Sequence, residues 1–179
     1  GRDTFFLITL STMMLPVEIL IIPQYLMFNK MGWLDTFKPL IIPHWFGGGA
    51  FNIFLLRQFF MTIPRELDEA AVIDGASYPR VFLSLILPLS KPVVATVAVI
   101  TFIARWNAFM GPLIFLDSLD KLTLAVGLRF LQTITFEEGE PKDHFLMAGA
   151  VIMATPTIVL FFAAQRYFVR GIVMSGIKG

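Results

Sequence analysis

Two stretches of this chain, residues 93–104 and 145–164, contain no charged side chain and lie inside longer apolar runs. A helix needs about 20 mostly apolar residues to cross the hydrocarbon core of a bilayer. Four runs meet that requirement: residues 4–28, 37–60, 92–116 and 145–168. The first is interrupted by Pro16, Glu18 and Pro23, and the second holds Pro39, Pro43 and glycines 47–49. Such residues are tolerated in a span when neighbouring helices satisfy the freed backbone groups. Pro16, Pro43, Pro112 and Pro156 therefore have two readings: irregular membrane helices, or a bundle bent around a pathway. Hydrophobic residues make up 56% of the chain and charged residues 15%, against roughly 25% charged in an average soluble domain. The expected fold is all-α, a polytopic transmembrane helix bundle occupying residues 1–179 as one domain.

The net charge of +1 gives no sign of a nucleic-acid partner, and the absence of cysteine excludes disulfides and thiolate metal sites. His44 and His144 are too far apart in sequence to read as a metal cluster. No signal-peptide pattern opens the chain. It begins Gly1-Arg2-Asp3, so Gly1 is not expected to be the natural start and an N-terminal part is expected to be missing.

Three connections join the four runs. Residues 29–36 are short and polar, 61–91 are long and amphipathic, and 117–144 are long, with Glu137, Glu138, Glu140 and Asp143 near the end. Four spans place the first and third connections on one side, and the second with both termini on the other. The second side carries Arg2, Arg57, Arg65, Arg80, Lys91, Arg166, Arg170 and Lys178, against Lys30, Lys38, Lys121, Arg129 and Lys142 opposite. The positive-inside rule then puts the 61–91 loop and the C-terminus in the cytoplasm and the 117–144 loop outside.

Within 61–91, Pro64 reads as the first residue of a helix. Glu66, Asp68 and Glu69 follow in its first turns, where the helix dipole favours carboxylates. Leu67, Ala70, Ala71 and Asp74 share one narrow face, small enough for another protein to approach the backbone closely. Gly75 reads as the terminator. Ser77 can cap a second helix with Phe82, Leu85 and Ile86 as its apolar stripe, ended by Pro88 before Ser90-Lys91-Pro92 opens the third span. Periodicity alone leaves two readings: an interfacial hairpin packed on its own bundle, or a docking element.

Glu69-Ala70-Ala71, three residues, Gly75, nine residues, then Leu85-Ile86-Leu87-Pro88 resembles the EAA loop of ABC importer permeases, with Leu85 where Ile is usual. The wider string 63–76 is similar to the form found in carbohydrate importers. Residues 122–128 (Leu-Thr-Leu-Ala-Val-Gly-Leu) resemble a segment of sugar permeases, and Trp106-Asn107 with Pro112-Leu113-Ile114 fits the same group. Residues 165–171 and the closing Gly176-Ile177-Lys178-Gly179 resemble the C-terminus of the maltose-type second permease. Such permeases have about six spans, so the chain resembles the last four. The resemblance implies that Glu69, Ala70, Ala71, Asp74, Gly75, Leu87 and Pro88 couple to a separate ABC ATPase subunit, with Arg65, Glu66 and Asp74 setting orientation. It also implies a second permease subunit, an extracytoplasmic solute-binding protein facing 117–144, an ATPase contact for the C-terminal tail, and a home in the inner membrane. The solute it implies is a carbohydrate, with peptides, amino acids and anions as alternatives.

This chain is expected to hold no cofactor or metal and not to be an enzyme. A phosphate-binding loop needs G-x-x-x-x-G-K-[ST], and after Gly171 and Gly176 the lysine position is Ile177. ATP and Mg would belong to the ATPase. A membrane-embedded hydrolase would need a nucleophile beside a base, and an ion-driven carrier or channel would leave the loop spacing unexplained.

Glu18 and Arg105 lie at a similar depth, roughly 20 Å in from the cytoplasmic side at about 1.5 Å per residue. They are expected either to pair or share a cavity, or to find partners separately. Asn52, Asn107 and Gln24 read as solute contacts or as interhelical hydrogen bonds. Trp45 and Trp106 read as sugar-stacking rings, interfacial anchors or packing.

Overall fold

The computed structural model describes residues 1–46, 48–138 and 143–173, with the side chains of 134–138 and 166–173 left out of the description. Every regular element among the described residues is helical. The α-helices are α1 (Arg2–Ser11), α2 (Val17–Lys30), α3 (Lys38–Trp45), α4 (Ala50–Phe60), α5 (Arg65–Ile73), α6 (Tyr78–Val81), α7 (Leu87–Leu89), α8 (Lys91–Trp106), α9 (Met110–Phe115), α10 (Leu124–Glu138) and α11 (Asp143–Val173). Lys38–Phe60 and Asp143–Gln165 are long and apolar enough to cross a bilayer, and two bent pairs raise the number of candidates to four.

Each of the first three apolar runs is broken, and the fourth is continuous. In the first, α1 and α2 meet at 96°. Leu15 is extended there, as the residue before a proline prefers, and Pro16 then caps α2. In the second, α3 and α4 part at Gly48 and Gly49, with φ of 63° and 104°. Side chains other than glycine rarely adopt such angles. In the third, α8 stops at Trp106 instead of running to residue 116. The Asn107 amide and side chain both donate to the Ile103 carbonyl, closing the helix before α9 starts. Pro156, by contrast, lies within the unbroken α11. The 117–144 connection holds a helix of its own, α10, packed on α11 where Gly149 admits Leu128 against the backbone. Glu140 and Lys142 lie outside the described residues, as do Gly47 and the 174–179 tail.

Polar contacts tie the helices together at two ends of the bundle. At one end Arg57 of α4 donates to Asp3 of α1 at 2.7 Å and lies over the Phe6 ring at 4.0 Å. At the other end Asp35 joins the first connection to the third. Its backbone sits at φ 53° and its amide donates to the Phe115 carbonyl. Its carboxylate accepts from the amides of Asp117 and Ser118, from the Ser118 hydroxyl, and from Lys121 Nζ at 2.7 Å. Beside it lies an apolar cluster that includes the buried Phe28, Phe115 and Leu116. α2 closes on Gly32 with paired bonds, Gly32 to Asn29 and Trp33 to Phe28. Trp33 stacks on Phe28, whose ring meets Phe115 edge-on at 5.3 Å.

The Lys121 ammonium, followed by the Ser118 hydroxyl and amide, holds the Asp35 carboxyl far below its ordinary value of 3.8. The Asp35 hydrogen bond in turn raises Lys121. A depressed carboxylate contributes stability that is complete above its unfolded pKa and lost as pH falls through the folded one. Lys121 has the opposite sign, contributing below its ordinary value and losing that contribution only as pH rises through its raised one. Acidification to about pH 4 should therefore leave this junction closed in the native chain. Asp35→Asn should open it already at neutral pH, read as faster amide hydrogen exchange in residues 31–37 and 116–121.

Candidate coupling surface and intramembrane polar residues

The 61–91 segment folds as a helical hairpin whose outer surface is uncovered in this chain. Pro64 is the cap of α5 and Arg65 its first residue, one position later than the sequence suggests, with Glu66 and Asp68 in the first turn. At the far end the Gly75 amide donates to the Val72 carbonyl and the Ala76 amide to that of Ala71. These paired bonds require the left-handed backbone of Gly75, at φ 83°. A Cβ there would meet nothing within 4 Å, so the demand is conformational rather than steric.

Glu69, Ala70, Asp74 and Gly75 are exposed and Ala71 is half-buried. Beside them Ile73 is 84% and Tyr78 80% exposed. Ser77 stands at the cap position of α6, though its hydroxyl makes no capping bond. Pro88 does not end this helix. A π-turn over Phe82–Ile86 leads into α7, and the helix carries Leu87 and Pro88 on to Leu89. π-turns are rare and frequent at functional positions.

The break comes at Ser90, where Tyr78–Leu89 and Lys91–Trp106 meet at 73°. Ser90 is completely buried, its hydroxyl donates to the Ile86 carbonyl, and its own carbonyl accepts from Val94. The hairpin is thereby fixed to the start of α8.

Among the intramembrane polar residues, Asn52 of α4 donates to Thr101 of α8 at 3.1 Å and to the Gly48 carbonyl at 3.0 Å. It thus ties the broken second stretch to the third. Arg105, one turn beyond Thr101, lies 3.2 Å from Nδ1 of His44 and makes no ion pair with Glu18. Glu18 is exposed in the first turn of α2, beyond the 96° bend. Equal depth does not fix the direction in which a side chain leaves its helix. The same depth arithmetic finds His44: seven residues into its span from the Asp35 end is about 10 Å, near the level of Arg105 across a core of about 30 Å.

Asn107 bonds back to its own helix and borders an open cleft of about 340 Å³ with Leu128, Ala150, Ala154 and Thr157. Trp106 donates from Nε1 to the Met153 carbonyl of α11 and stacks on Phe102, so its ring is committed to packing. Trp45 is 75% exposed, and Gln24 is half-buried in α2.

The family described as "Binding-protein-dependent transport system inner membrane component" matches residues 1–174. The chain belongs to that family. Among its relatives, the arabinooligosaccharides transport system permease protein AraQ of Halalkalibacterium halodurans is 37% identical over all of this chain and 62% of its own length. The sn-glycerol-3-phosphate transport system permease protein UgpE of Shigella flexneri is 40% identical over 97% of this chain and 60% of its own. A solved bacterial ABC transporter involved in import of the acidic polysaccharide alginate superposes with a TM-score of 0.66 at 28% identity, covering 99% of this chain and 62% of that one. The chain thus spans about three-fifths of the length of these relatives. The family is one of transport-system membrane components, and the all-helical fold agrees with it.

Interhelical hydrogen bonds between membrane helices are worth about 0.6 kcal/mol on average and up to about 1.7 kcal/mol. A double-mutant cycle combining Asn52→Leu with Thr101→Val, read by unfolding of the purified protein, should return a coupling energy in that range.

Proposed function

We propose that this chain supplies part of one permease subunit of an ATP-driven importer, forming with a second permease subunit the path of a carbohydrate through the inner membrane. A separate ABC ATPase grips the α5–α7 hairpin from the cytoplasm. An extracytoplasmic binding protein delivers the solute at the end where Asp35 joins the two loops. The observation that carries this reading is the hairpin itself. Its Ala70, Asp74 and Gly75, with Glu69 beside them, are exposed, and Ala71 is half-buried. At its other end Ser90 binds it to α8, the helix that also carries Thr101 and Arg105.

Movement of the hairpin then becomes movement of the polar strip between α4 and α8. ATP and Mg belong to the ATPase, and this chain does no hydrolysis. Each relative is named for a different solute, an arabinooligosaccharide, sn-glycerol-3-phosphate or alginate. Two of these solutes are anions, which keeps charged solutes within the proposed class.

Gly75→Leu sets a branched side chain at a left-handed position, costing about 1–2 kcal/mol locally, and adds bulk to the docking face. In the full complex it should lower ATP-coupled uptake about tenfold or more while membrane levels of the subunit stay normal. Undiminished ATP-coupled uptake by that variant would refute the coupling role. Uptake that collapses with an ion gradient instead of with ATP would favour an ion-driven carrier.

A further inference from the structure

The strip between α4 and α8 contains a full positive charge that no carboxylate among the described residues neutralises. Arg105 lies on the same α8 face as Thr101, turned toward α3 and α4. A guanidinium only donates hydrogen bonds. Its contact with His44 therefore uses an unprotonated Nδ1 and leaves the proton of the neutral ring on Nε2, a second donor close to the first. The ion pairs among the described residues are Arg57–Asp3 and Lys121–Asp35, so no described carboxylate answers Arg105. The carbonyl end of α8 offers about half an elementary charge.

Arg105 is nevertheless an exposed residue on the surface of this chain. Next to it the second stretch is broken at Gly48 and Gly49, and the Gly48 carbonyl is held by Asn52. A cation at membrane depth faces a counter-charge or a watered cavity. Irregular backbone at that depth lines a cavity or is buried in protein.

We propose that Arg105 and His44 form a subsite for a carboxylate or phosphate group on the transported carbohydrate. The inference rests on the importer reading and narrows its solute to an anionic one. Arginine suits this task because its planar fork bonds both oxygens of such a group at once. His44 presents a further N–H beside it, and Asn52 and Thr101 extend the polar surface by one turn.

The test uses the full-length permease with its second permease, ATPases and binding protein in proteoliposomes. The probes are labelled sn-glycerol-3-phosphate and digalacturonate, with arabinotriose and maltose as neutral counterparts. ATP-dependent uptake of at least one anionic probe is expected. Arg105→Gln should reduce it about tenfold or more, Arg105→Lys should give an intermediate rate, and both variants should still co-purify with the other subunits. No uptake of either anionic probe, or equal uptake by the Arg105→Gln complex, overturns the subsite. Loss of association between the two permeases in Arg105→Gln also overturns it, assigning the counter-charge to the adjoining subunit. Uptake of neutral probes alone defeats this inference and leaves the importer reading standing, whereas uptake indifferent to ATP defeats the importer reading.

Discussion

Ser90 is the joint on which the arrangement depends. It is a polar residue with no solvent exposure, and its hydroxyl is spent on the Ile86 carbonyl one turn back. Burial of a hydroxyl is tolerable because that bond is made. The helix axis turns by 73° there while the Ser90 amide still donates to the Ile86 carbonyl and its carbonyl accepts from Val94. A larger side chain would have to displace the packing around it, and a flexible linker would let the hairpin drift. A small residue locked to the preceding turn does neither, so displacement of α5–α7 reaches the base of α8 with little slack.

Features that depend on near neighbours in the chain could be read from the sequence. The all-helical class followed from the length of the apolar runs. The hairpin followed from acidic residues opening α5 and a glycine closing it, both local effects of the helix ends. Small errors remained where two local rules compete. Pro64 caps α5 instead of starting it. Pro88 sits inside a helix because the π-turn before it changes the hydrogen-bond register. α10 was legible as well, since Leu124, Leu128 and Leu131 share a helical face, but 117–144 was read only as a connection between two spans.

Contacts between distant parts of the chain were not legible. Asp35 meets Ser118 across more than eighty residues, and no local pattern announces it. Arg105 meets His44 instead of Glu18 because azimuth around the helix axis matters as much as depth. The breaks at residues 12–16, at 46, 48 and 49, and at 107–109 decide those azimuths. Prolines and glycines flagged the first two breaks, and the third was signalled only by Asn107, whose side chain competes for the Ile103 carbonyl.

The large apolar surface of this chain, with Met14 and Phe46 each 83% exposed, is suited to lipid and neighbouring helices. Against that background the Asp35 junction has a mechanical meaning. One carboxylate closes two loops at once, so neither can flap by itself. The two loops can shift only if α2 and α9 travel with them as one rigid unit, and the tempo of such a shift is that of whole helices, in microseconds to milliseconds, rather than that of loops.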